Sequence, residues 1–173
     1  MQERRYQFKE DLLKIHKKGI RNYQLSPDNE EVELKNSIQL VMPQDADIVI
    51  ETALRDFEDY LFKSMDVYAW VTPTPTTSSQ KVLIELFPDS HSDIDIKFDI
   101  TVTDNEITVK GENSRSIAQG FYYLESLMNL KCAPFLKKGT ISKKTILNTV
   151  TDMHRSVCMN ILTKPLHIWH IWV

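Results

Sequence analysis

Residues 98–103 (FDITVT) alternate apolar and polar side chains without a fault, the chain breaks at Asp104-Asn105, and residues 106–110 (EITVK) alternate again. Successive side chains of a strand point to opposite faces, so two such runs about a short turn predict a hairpin with one buried face. Directly after it, Asn113 and Ser114 are good helix caps, and Ile117, Phe121, Leu124 and Met128 then recur on one stripe. The helix is expected to end near Leu130.

The rest of the chain is organised around this unit. Residues 3–18 set Tyr6, Phe8, Leu12, Leu13 and Ile15 among many charges, which predicts a peripheral helix stopped by Gly19. Ser26-Pro27-Asp28-Asn29 is turn chemistry, and residues 32–42 read as a first strand around Leu34, Ile38 and Leu40. Asp45, after Pro43, is expected to cap a helix over 46–64 whose apolar face carries Ile50, Ala53, Leu54, Phe57, Tyr60 and Leu61. Residues 67–72 are β-rich, and TPTPTTSS (72–79) is a loop because its prolines block both helix and central-strand pairing. Residues 82–87 form a short apolar strand, and 140–150 lean towards β before a tail that ends in LHIWHIWV. This order predicts an α+β fold, with one mixed or antiparallel sheet of four or more strands and two amphipathic helices on one face.

Composition limits the partners. With 173 residues, 42% hydrophobic and 26% charged, the chain suits one buried core. A formal net charge of −3 and a pI near 6.0 give no positive field for nucleic acid or an acidic membrane surface. The charged start and the absence of any run near the roughly 18 apolar residues of a span predict a soluble, cytoplasmic protein. Cys132 and Cys158 are too few to staple a small secreted scaffold, so reduced thiols are expected.

The stretch FDITVTDNEITVKGENSRSIAQGFYYLESLMNL, followed by APFLKKGTI, resembles the small domain that precedes the catalytic barrel in family 20 glycoside hydrolases (β-N-acetylhexosaminidases) and in related α-glucuronidase-type enzymes. The shared pattern is a hairpin, a short turn and a helix with a glycine and aromatic pair, here Gly120 with Phe121, then Tyr122 and Tyr123. The resemblance covers roughly residues 32–141, the first half only in element order and hydrophobic pattern. It implies an N-terminal helix and turn (1–30), an accessory α/β domain (31–141) and a tail (142–173), the form of a truncated or diverged gene product. It also implies a non-catalytic domain with a packing or interaction role, because the acids of such enzymes sit on a barrel of about 250 residues that this chain has no room for. A carbohydrate-binding module, which would need aromatics on one open face, and a small enzyme with an unrecognised site are the alternatives.

No residue is assigned as catalytic, cofactor-binding or metal-binding on sequence, and no cofactor is expected. His154, Cys158, His167 and His170 form H-x3-C and H-x2-H pairs that zinc could accept, but the spacing fits no defined finger. His16 and His91 are solitary and expected in solvent. Glu51, Asp56, Glu58, Asp59, Asp89, Asp93, Asp95 and Asp99 are expected to be solvated and to titrate as ordinary carboxylates. Asp89-Ser90-His91-Ser92-Asp93 is turn chemistry, since loop neighbours rarely reach triad geometry. Gly111 is read as a turn and Gly120 as a close helix contact; neither belongs to a phosphate-cradling G-x-G-x-x-G. Tyr68, Trp70, Tyr122, Tyr123, Trp169 and Trp172 are candidates for a sugar-stacking surface, although aromatics more often fill cores. Trp169 and Trp172, with Ile168, Ile171 and Val173, are expected to be buried on this domain or on a second chain. The expected partners are therefore another copy or another protein at the tail, with a carbohydrate as the alternative, and neither nucleic acid nor membrane.

Overall fold

A computed structural model describes residues 16–76, 80–87 and 96–145. In chain order the elements are β1 (Glu31–Glu33), β2 (Ile38–Val41), α1 (Ile48–Met65), β3 (Ala69–Thr72), β4 (Lys81–Leu86), β5 (Ile96–Val102), β6 (Glu106–Gly111), α2 (Ser114–Lys131), β7 (Phe135–Lys137) and β8 (Gly139–Thr145). The alternating runs form the antiparallel pair β5–β6, closed where Thr103 N–H donates to the Glu106 carbonyl at 2.8 Å. Around this hairpin lies a six-stranded sheet in the order β3-β2-β4-β6-β5-β8. Its first four strands are parallel, and β5 runs against both β6 and β8, so the sheet is mixed and the fold is α+β.

Register explains the core. Leu40 stands beside Val82, Val82 beside Ile107, and Val109 beside Ile100, so the apolar positions of neighbouring strands fall in rows on one face. Both helices cover that face: the rings of Phe57 on α1 and Phe121 on α2 lie 5.1 Å apart, and both side chains are fully buried. Asn113 caps α2 as expected, its side chain accepting from Ser116 N–H at 2.8 Å.

Three expectations are corrected, and one strand is new. The strand over 32–42 is two short strands in different sheets, since β2 joins the main sheet while β1 pairs with β7 in a separate two-stranded ribbon. Ser37, in the left-handed region at φ 83°, turns the chain between them, and Leu34 N–H goes instead to the Pro134 carbonyl at 2.9 Å. The strand β7, which provides that pairing, has no counterpart among the sequence expectations. Asp47, not Asp45, caps α1, accepting from Val49 and Ile50 N–H at 3.0 and 2.9 Å. A hydrogen bond from Ser114, followed by those amides, holds the Asp47 carboxyl below the usual range. Lastly, Gly111 ends β6 rather than forming a turn.

The two close-packing glycines differ in kind. A Cβ on Gly120 would lie 2.7 Å from Val109 Cγ1, which bears out the close helix contact. On Gly111 it would meet the Ile117 backbone nitrogen at 2.9 Å as well as Ile117 Cγ1 at 2.8 Å, and backbone cannot rotate away. Gly111→Ala should therefore destabilise by about 1–3 kcal/mol, as overpacking typically does; an unchanged urea midpoint would contradict this packing. The expected helix over 3–18 falls mostly outside the described residues, although Gly19 does adopt φ 63°. Residues 146–173, including the whole tail, also lie outside. Among the described residues, no helix is long and apolar enough to cross a membrane.

Candidate functional site

The last turn of a helix leaves carbonyls without partners, and in α1 the incoming chain supplies donors for them. Gly19 N–H donates to the Lys63 carbonyl at 3.0 Å, Ile20 and Arg21 N–H both donate to that of Ser64 at 3.1 Å, and Ser64 Oγ donates to the Lys17 carbonyl at 2.7 Å. This docking sets His16 on the seam between the two helices. Its Nε2 lies 2.9 Å from Asp56 Oδ1, and its ring meets the edge of Tyr60 with centroids 5.4 Å apart. The expectation that His16 and Asp56 are solvated is thus corrected, because the histidine side chain is only 5% exposed.

Helical spacing completes the site. Tyr60 lies one turn beyond Asp56, and its hydroxyl reaches the Glu125 carbonyl at 3.1 Å and Asn129 Oδ1 at 3.0 Å, so α1 and α2 are tied at this level. Glu125 is half-buried, and its Oε1 is shielded from solvent without a hydrogen-bond partner. Desolvation first, then the Asp56 charge, pushes its carboxyl up to about 8. Burial, with smaller contributions from Asp56 and Glu125, also raises the Tyr122 phenol. His16, Asp56 and Glu125 each bring one nitrogen or oxygen to within 4.8 Å of the others.

Sequence reasoning missed Glu125 altogether. The available signal was a carboxylate between the apolar positions Phe121, Leu124 and Met128, but nothing local showed that three distant pieces of chain would meet there. Chemically, one imidazole and two carboxylates can hold a proton or a cation. Of the Glu125 carboxyl, Oε1 is shielded from solvent, while the residue as a whole is half-buried.

Elsewhere the acids of α1 behave as a solvated face: Glu51 is exposed, Glu58 pairs with Arg55 at 3.3 Å and Asp59 with Lys63 at 2.6 Å. Asp99 departs from expectation, being half-buried with an unpartnered Oδ1 on the sheet face opposite the helices. At the β3 edge of that face, Tyr68 is 59% exposed and stacks on Trp70 with centroids 6.0 Å apart and planes inclined by 29°. In the register row of Trp70 follow Gln39, Lys81 and Glu106, the last two an ion pair at 3.0 Å. Cys132 is an exposed free thiol at the left-handed cap of α2. Asp89, His91, Asp93, Asp95, His154, Cys158, His167, His170, Trp169 and Trp172 lie outside the described residues.

No family model and no curated protein matches this sequence. Solved structures do match its fold. CpGH84D is similar over 67% of this chain, with 20% identity and a TM-score of 0.53. A GH138 enzyme targeting pectin rhamnogalacturonan II is similar over 62% of it, with 16% identity and a TM-score of 0.54. A family GH115 4-O-methyl-α-glucuronidase with specificity for decorated arabinogalactans is similar over 67%, with 12% identity and a TM-score of 0.50. The shared region makes up only 21%, 15% and 18% of those chains, so this chain has the fold of one part of several glycoside hydrolases.

Proposed function

We propose that this chain is a non-catalytic accessory domain of glycoside-hydrolase type, akin to the one that precedes the barrel in β-N-acetylhexosaminidase-like enzymes, with a packing or interaction role. The supporting observation is that its fold recurs as a minor part of three glycoside hydrolases. The half-buried carboxylates agree with this reading, because Asp56 and Glu125 are packed against His16 in a helix seam. Chromogenic N-acetylglucosaminide, N-acetylgalactosaminide and glucuronide substrates should be turned over no faster than in buffer. Saturable turnover that scales with protein and is lost in Glu125→Gln or Asp56→Asn would replace this reading with a small enzyme.

A carbohydrate-binding role is the second reading, favoured by the exposed Tyr68 ring stacked on Trp70 at the β3 edge of the sheet. Under it, a glycan array should show binding that disappears in Trp70→Ala. An array signal unchanged by that substitution would remove the platform from consideration.

A further inference from the structure

Among the described residues, the seam between α1 and α2 gathers two carboxylates with one imidazole and no lysine or arginine paired to either. Among the described residues, Asp56 has an ion pair only with His16, and no lysine or arginine pairs with Glu125, although one of its oxygens is sealed from water. A buried carboxylate normally finds a cation or a full set of donors, because charge removed from water without them is strongly disfavoured. Among the described residues neither reaches Glu125 Oε1, and Asp56 has His16 alone. Tyr60 directs its hydroxyl to the Glu125 main-chain oxygen and to Asn129, leaving the Glu125 carboxyl without that donor.

The donor atoms are nevertheless gathered. Ligands about 2.0–2.2 Å from a tetrahedral zinc ion lie about 3.4 Å from one another. His16 Nε2 and Asp56 Oδ1 are already 2.9 Å apart, and the Glu125 donor completes a set lying within 4.8 Å, a gap that a small χ adjustment of a glutamate side chain can close. Imidazole with two carboxylates suits a borderline divalent ion better than magnesium or calcium, which favour all-oxygen shells. We propose that His16, Asp56 and Glu125 form a site for a divalent transition-metal ion of the zinc type, with water in the remaining position.

Such an ion would join three separate pieces of chain: the docked N-terminal segment, α1 and α2. It would neutralise the two carboxylates and fix His16, the residue through which that segment reaches the seam. The inference is independent of the accessory-domain reading, since a structural ion requires no turnover.

The test uses the full chain, stripped with a chelator and dialysed, then titrated with zinc chloride while heat and melting temperature are followed. One zinc ion per chain should bind and raise the melting temperature. Glu125→Gln and Asp56→Asn keep the side-chain volume, and each should weaken binding at least about 10-fold, as losing a ligand or its support does; His16→Ala should do the same if circular dichroism shows it folded. A variant with His154, Cys158, His167 and His170 all changed to alanine should retain the ion. The proposal is overturned if the wild type takes up no zinc at millimolar concentration. It is equally overturned if binding survives Glu125→Gln and Asp56→Asn, or is lost only in the tail variant, which would place the ion elsewhere.

Discussion

Glu125→Gln should stabilise the protein at alkaline pH and flatten its pH profile, measured by urea denaturation in chelator-containing buffer. The Glu125 carboxyl is raised to about 8 in the folded state by desolvation and then by Asp56, against about 4.5 in a free chain. A carboxyl that binds its proton more tightly when folded favours folding at acid pH, and this advantage is lost as the pH rises through the folded value. Below about pH 4.5 both states are protonated and the shift has no effect on stability relative to glutamine; between about pH 4.5 and 8 the wild type should weaken steadily. At about 1.4 kcal/mol per unit the ceiling is close to 5 kcal/mol, and partial solvent access and relaxation reduce the expected loss to about 1–3 kcal/mol. Glutamine carries no charge and should avoid this loss. A wild type and a variant with parallel profiles from about pH 5 to pH 9 would show that the seam does not hold Glu125 as described.

Phe121→Ala should cost about 3–5 kcal/mol, the usual range for truncating a buried phenylalanine. Phe121 is fully buried, and its ring lies 5.1 Å from that of Phe57 where the two helices meet above the sheet. Its neighbour Gly120 already presses α2 onto Val109, so the helix has little freedom to sink into the space left behind. Against a total stability of about 5–15 kcal/mol, this loss should bring the domain near its unfolding threshold at ambient temperature. Glu58→Ala, on the exposed side of α1, should stay within about 0.5 kcal/mol of wild type. Equal denaturant midpoints for the two variants would mean that the helix interface does not carry the core.

The parts of this fold legible in the sequence are those governed by short-range periodicity. The hairpin, both apolar helix stripes and the Asn113 cap all follow from spacing and local hydrogen bonding. Residues 32–42 failed for a related reason, because alternation continues across a turn whose partners lie far away in sequence, Pro134 for Leu34 and Tyr68 for Ser37 and Ile38. Asp47 outranked Asp45 as cap through its proximity to Ser114 and to the amides of Val49 and Ile50, and only the second of these is a local relation. The candidate site was the least legible element. His16 is a lone histidine in a charged segment, and its meeting with Asp56, forty residues on, depends on Gly19, Ile20 and Arg21 completing the end of α1.

The β1–β7 ribbon bears on the order of folding. It pairs Glu31 with Lys137 and Glu33 with Phe135, with everything from β2 to α2 lying between. Closing a loop of about a hundred residues carries an entropic penalty that three-residue strands repay poorly while that interval is still disordered. Once sheet and helices have collapsed, the two ends are near neighbours and the closure becomes nearly local. The ribbon is therefore a late step of assembly and an early step of unfolding. Contacts made after the rate-limiting step act on the escape rate, so tightening this ribbon would lengthen the native lifetime while leaving the speed of refolding almost untouched. The β5–β6 hairpin closes over a short turn, so strengthening its contacts should instead speed refolding, a contrast that stopped-flow kinetics would show.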